Sequence, residues 1–129
     1  MAAPHRDPPV DGLEWIIERT SEAMVARPVG EVTLATVPLL WSNLRAMRED
    51  NLNVIVDLKA ILGIDSAGIH TLLDLHQLFI QCGQRLVLAE PRPLVRALLE
   101  DGGLDKAIPV FASVAAALAS FRSPTRVVA

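Results

Sequence analysis

The sequence predicts an α/β fold: one domain on a mixed β-sheet of about four to five strands, parallel in its centre, packed by about four α-helices. Three observations predict it. Short apolar runs alternate with segments whose apolar residues recur every three or four positions, as strands joined by helices do. The 129 residues suit one domain. Apolar residues make up 51% of the chain but aromatics only 4%, so the core must be built from Leu, Val, Ile and Ala. The expected organisation is a flexible leader over residues 1–11, a domain over 12–122 and a flexible tail over 123–129.

The elements follow in order. Leu13 to Thr20, with Trp15, Ile16 and Ile17 inside it, is the first strand candidate. Ser21-Glu22-Ala23 can turn the chain. Met24 to Gly30 is a second short strand, weakened or placed at an edge by Pro28. Thr36 is a helix N-cap candidate, with Pro38 tolerated in the first turn. Leu40, Leu44 and Met47 carry that helix to about Asp50. Val54 to Leu58 is a compact apolar run suited to a buried central strand.

A loop, Lys59 to Ile64, leads into Asp65-Ser66-Ala67-Gly68. The next helix carries Ile69, Leu72, Leu73, His76, Phe79 and Ile80 on one stripe and ends near Gly83. Arg85 to Ala89 is a further strand. Leu94 to Glu100 is a short helix stopped by Gly102-Gly103. Ile108 to Phe111 is a last edge strand, and Ser113 caps an Ala-rich helix reaching Phe121.

Composition narrows the function. A net charge of −3 argues against a nucleic-acid footprint. No polybasic run suggests a membrane surface, and no apolar stretch reaches spanning length. Met1 to Asp11 has three prolines and no apolar core segment, unlike a signal peptide. The single cysteine, Cys82, suits a reducing cytosol. Near a helix end, it reads as a packed thiol. These features together predict a cytoplasmic protein.

Catalytic signatures are missing. His5 lies in the leader, and His70 and His76 are six apart on one helix, a poor metal pair. There is no glycine-rich phosphate loop and no G-x-S-x-G elbow. Asp57 and Asp65 could form an acidic pair for Mg²⁺, but the companion acids and lysine of such a site are not in place. We therefore expect no enzyme, no metal and no cofactor.

The informative segment is Gly63 to Gly68, G-I-D-S-A-G. Asp65 and Ser66 stand where a loop ends and a helix begins, and helix capping alone accounts for both. The other reading is a phosphorylatable serine. A helix start offers free amides and a positive dipole end to a phosphate. The helix would tolerate the added charge, so the effect would fall on a partner surface.

Several segments resemble a known family. Val54-Ile55-Val56-Asp57-Leu58, then Ile64-Asp65-Ser66-Ala67-Gly68, then the run Ile69 to His76, resemble the core of STAS domains, particularly anti-sigma factor antagonists. Val29-Gly30-Glu31 with Leu34-Ala35-Thr36-Val37-Pro38-Leu39 is similar to the family's G-E-L-D-x-A-T-x-P-x-L segment. Downstream, Gly83, Arg85 to Leu88, Pro93 to Leu99 and Gly103-Leu104-Asp105 are similar to its closing half. The resemblance spans Leu13 to Phe121. Three positions differ from the common pattern. Thr33 stands where the family often has Asp, Ala67 replaces a second Ser or Thr, and Gly63 replaces a bulky apolar residue, implying a looser loop.

The resemblance implies a binding module without catalysis. Its unphosphorylated form would bind an anti-sigma factor that is also a serine kinase, releasing a sigma factor of the stress-response kind. Phosphorylation of Ser66 would switch binding off, and a PPM-type phosphatase would reverse it. The implied partner surface is Glu31, Thr33, Thr36, Asp65, Ser66, Ala67, Gly68 and His70. The protein would be a monomer or weak dimer, with no direct contact to nucleic acid or membrane. Two alternatives are a STAS scaffold subunit of a signalling or lipid-transport assembly, and a sensor holding a small nucleotide or lipid between helices.

Overall fold

The computed structural model describes residues 12–122. The expected leader and tail, and His5, lie outside the described residues.

Two strands open the fold, β1 (Leu13–Arg19) and β2 (Ala23–Val32), paired antiparallel. Thr20 closes the hairpin. Its Oγ1 accepts from the amides of Glu22 and Ala23 at 3.2 and 2.9 Å and donates to the Ala23 carbonyl at 2.8 Å. Then come α1 (Val37–Met47), a 3-10 turn (Arg48–Asp50), β3 (Asn53–Asp57), β4 (Ile61–Ile64) and α2 (Ser66–Gln81). The described residues close with β5 (Leu86–Ala89), α3 (Pro93–Asp101), α4 (Leu104–Ala107), β6 (Val110–Phe111) and α5 (Val114–Phe121).

The sheet runs β1-β2-β3-β5-β6, with every pair after β1–β2 parallel. This is the expected mixed α/β sheet with a parallel centre. It has one strand more than expected, because Lys59 to Ile64 is not all loop. Ile61–Ile64 forms β4, which pairs parallel with the end of β2. A four-residue strand containing Gly63 has too little pattern to stand out from a turn. The short α4, between Gly103 and Ile108, was likewise not expected from so few residues.

The second strand is also longer than its reading, and it is not an edge. Ala23 to Ala26 pair with β3, whereas Gly30 to Val32 pair with β4. Arg27 to Val29 fall between these two partners. Pro28 sits in that gap, opposite Trp15 of β1. A residue without an amide hydrogen is tolerated in an interior strand where one neighbour is missing.

Alternation along the strands builds two cores. Met24, Ala26, Val54, Val56, Leu86 and Leu88 face the main one, with Leu40 and Leu44 of α1, Leu72, Leu75 and Phe79 of α2, Val95 and Leu99 of α3 and Leu104 of α4. Ala23, Val25, Ile55, Val87 and Ala89 face the other side, where Ala117 of α5 covers them. With both faces covered, β3 and β5 read as continuous apolar runs.

The ends of α5 are tied down. Ser113 Oγ accepts from the Ala116 amide at 3.0 Å, as its sequence position predicts. Glu90, with φ of +55°, brings its carboxylate to the Val114 amide. At the far end, Arg122 reaches Glu22 at 3.3 Å. The Ser21 hydroxyl, together with Arg122, holds the Glu22 carboxyl below its ordinary value.

Two side chains depart from their sequence readings. Thr36 is the N-cap residue of α1, but its hydroxyl does not cap the helix. Cys82 is exposed rather than packed, with Arg48 Nη1 at 3.5 Å from its sulfur. As the C-cap residue of α2, it lies just past the turn whose stripe enters the core.

Candidate functional site

The site is assembled where β2 and β4 end. From β4 the chain passes Asp65, the N-cap of α2, to Ser66, the first helical residue. Asp65 has extended backbone angles, φ −104° and ψ −177°, which aim its side chain back across the helix start. Its Oδ1 accepts from the Gly68 amide and its Oδ2 from the Leu34 amide, both at 3.0 Å. The backbone amide of Asp65 donates to the Val32 carbonyl at 3.0 Å. One residue thus joins α2 to the segment between β2 and α1.

That segment is closely held. Thr36 Oγ1 donates to the Glu31 carbonyl at 2.7 Å and accepts from the Thr33 amide at 2.9 Å. The amides of Thr36 and Val37 both donate to the Thr33 carbonyl at 2.9 Å. The threonine hydroxyl therefore folds its own loop, which is why it is not free to cap α1.

Gly68 lets these pieces approach. A Cβ there would lie 2.5 Å from Val32 Cγ1 and 2.8 Å from Ile64 Cγ1. Gly63 does not have that role, since a Cβ there would meet only Glu31 Oε1, at 4.0 Å. It lies within β4, opposite Glu31, rather than in a loose loop.

Ser66 is exposed, and among the described residues none hydrogen-bonds its hydroxyl. Because Asp65 supplies the cap, the serine is not needed for it. His70 is exposed four residues on, on the same side of the helix. Glu31 is exposed, Thr33, Asp65 and Ala67 are half-buried, and Thr36 and Gly68 are buried. All eight residues thus gather around the start of α2, but Thr36 and Gly68 shape the site from beneath.

Sequence reasoning missed two features. Leu34 is 73% exposed, directly beside the Asp65 carboxylate that holds its amide. Its signal, an apolar residue between Thr33 and Ala35 in a polar turn, is visible only once the turn is known. The other is a buried ion pair. Asp57 is fully buried at the end of β3, its Oδ2 held at 2.8 Å by Arg27 Nε and its Oδ1 at 3.0 Å by the Lys59 amide. Asp57 and Asp65 are both engaged by protein donors, and the described residues contain no group of three or more His, Cys, Asp or Glu able to hold a metal.

The order of these motifs along the sheet matches one family. The STAS domain family model matches residues 14–117. The chain belongs to the STAS domain family. Among solved structures, this STAS domain is similar to an anti-sigma factor antagonist from Mycobacterium paratuberculosis. The two are 25% identical over 89% of this chain and 98% of that one, with a TM-score of 0.76. It is also similar to the anti-sigma factor antagonist SpoIIAA in its unphosphorylated form, at 21% identity over 88% of this chain and 100% of that one, TM-score 0.71. Bacillus SpoIIAA in its phosphorylated form gives 20%, 84%, 100% and 0.62 for the same measures. At those identities the two SpoIIAA structures speak for the fold. Comparison with curated proteins finds no match. No helix of the described STAS domain is long and apolar enough to cross a membrane.

Proposed function

We propose that this STAS domain is an anti-sigma factor antagonist whose binding is switched by phosphorylation of Ser66. In its unphosphorylated form it binds an anti-sigma factor that is also a serine kinase, and the sigma factor is released. The kinase transfers the γ-phosphoryl group of ATP to Ser66 Oγ. The new O–P bond forms as the bond to the bridging oxygen breaks, ADP leaves, and the hydroxyl proton is lost. A PPM-type phosphatase hydrolyses the ester. The domain itself performs no catalysis; it is ligand and substrate, in the cytoplasm, as a monomer or weak dimer.

One observation carries this reading: an exposed, unbonded hydroxyl at the first position of a sixteen-residue helix whose cap is supplied by its neighbour. The dipole and free amides there favour a phosphate by roughly 0.3–1 kcal/mol, so modification leaves the helix intact. A partner seated on Ser66, Leu34 and His70 meets instead a new charge of about −1.5 to −2. Desolvating it in an interface is costly. The similarity to anti-sigma factor antagonists supports the same reading.

The test uses a purified panel of kinase-type anti-sigma factors from the organism that makes this chain. Unmodified protein and Ser66→Ala should bind one of them with equal affinity. Ser66→Glu should bind at least about tenfold more weakly, or about 1.4 kcal/mol. Intact mass after incubation with ATP should show one added phosphate, lost in Ser66→Ala. Equal affinity for all three proteins, or no phosphate from any kinase, overturns the proposal.

A further inference from the structure

The Asp65 carboxylate has one oxygen on each side of the site. Oδ1 is bonded to Gly68 of α2, and Oδ2 to Leu34 of the β2–α1 loop. Ser66 is the next residue in the chain. Among the described residues Leu34 is the most exposed large apolar side chain, at 73%, yet its loop is fixed by a threonine hydroxyl, two backbone bonds to the Thr33 carbonyl and the aspartate. An exposed leucine on a rigid loop is what a preorganised protein contact requires, because little freedom is lost when it docks.

Building on the switch proposed above, we propose that Asp65 couples the state of Ser66 to the presentation of Leu34. A phosphate on Ser66 Oγ puts a second anionic group beside the Asp65 carboxylate, at the same helix end. Both then compete for the few free amides of that end: Gly68, which Asp65 now holds, and those of Ser66 and Ala67. Like charges in contact repel. The bond that gives way is the one leaving the helix, Leu34 N–H to Oδ2, since Oδ1 keeps both the cap and the dipole. Its loss frees the loop at Leu34 while Thr36 still closes it at Thr33. Phosphorylation thus removes the apolar contact as well as adding charge, and it does so through one hydrogen bond.

The experiment needs no partner. Phosphoserine is installed at position 66 during translation, and amide exchange at Leu34 is followed by NMR in the full chain, with and without Asp65→Asn. In wild type, phosphorylation should speed Leu34 exchange at least tenfold, with Leu88 in the core unchanged. In Asp65→Asn, whose amide group can serve as acceptor on one side only, Leu34 should exchange fast from the start and phosphorylation should add nothing. Unchanged Leu34 protection in phosphorylated wild type overturns the coupling. An equal acceleration in Asp65→Asn overturns the assignment to Asp65. Either result leaves the antagonist reading standing, because kinase binding could still be lost by direct repulsion. That reading fails separately, in the binding and mass measurements.

Discussion

A Cβ at position 68 would also lie 3.0 Å from the Val32 carbonyl oxygen, a backbone atom that cannot rotate away. Gly68→Ala should therefore force α2 off the end of β2 and cost about 1–3 kcal/mol. Ser66→Ala, two residues away and exposed, should stay within about 0.5 kcal/mol of wild type. Urea denaturation of the two variants separates them, and a silent Gly68→Ala would mean that the helix start is not tightly seated. At the Asp57–Arg27 pair the two partners are unequal. The aspartate is wholly buried, while the arginine side chain retains 25% of its exposure. Arg27→Met leaves the buried carboxylate only the Lys59 amide and the more distant Lys59 Nζ, 3.9 Å away, and should cost roughly 3 kcal/mol. Asp57→Asn keeps an acceptor for the Lys59 amide and leaves Arg27 a route to water, so it should cost less. The reverse order in denaturation would refute this. Asp65 and Ser66 were legible in the sequence because a helix cap is a local affair. Asp57 and Arg27 are thirty residues apart, and no local pattern joins them.

Among elements, α5 carries a disproportionate share. Among the described residues it is the helix that covers the second face, through Ala117 with Val114, Leu118 and Phe121 beside it and Phe111 of β6 adjoining. Eight residues with one buried position make a weak helix without its caps. Ser113→Ala should cost about 1 kcal/mol. Hydrogen exchange should show α5 opening before β3 and β5, with the gap widened in Ser113→Ala. Equal protection of α5 and β3 would show that the two sides of the sheet unfold only together. The long elements were readable: β3 from its unbroken apolar run, α2 from its stripe. The stripe was nevertheless set slightly askew. Leu75 is fully buried, whereas Ile80 is 52% exposed, because the buried face follows Leu72, Leu75 and Phe79 and Ile80 lies about 100° round the helix from Phe79. β4, interrupted by Gly63, and α4, a single turn, carry too little pattern to be read, whereas β5, of the same length, is an unbroken apolar run. β4 is placed by pairing with β2, from which α1 and β3 separate it in the chain, and α4 by packing against α3 and α2.

For the molecule as a whole, the exposed serine and the core are separate. Every strand from β2 to β5 is anchored in a core built mainly of aliphatic side chains, and Ser66 is exposed outside it. Installing phosphoserine at position 66 should then shift overall stability by less than about 1 kcal/mol. Thermal unfolding of the modified and unmodified proteins measures this, and a large loss would place the switch in the fold rather than on its surface. The α/β class was legible because alternating short apolar runs and helical stripes admit few other layer arrangements. Which residues the proposed partner surface exposes was less so, since exposure is a property of the folded surface. Leu34 is the clearest case.

Among the described residues, β4 has β2 as its only strand neighbour, through Gly30, Glu31 and Val32. The segment that delivers Ser66 is therefore mounted like a leaf on the side of the sheet. An enzyme that needs the serine drawn out into its own cleft has to peel back three rungs of ladder, and the strands behind stay closed.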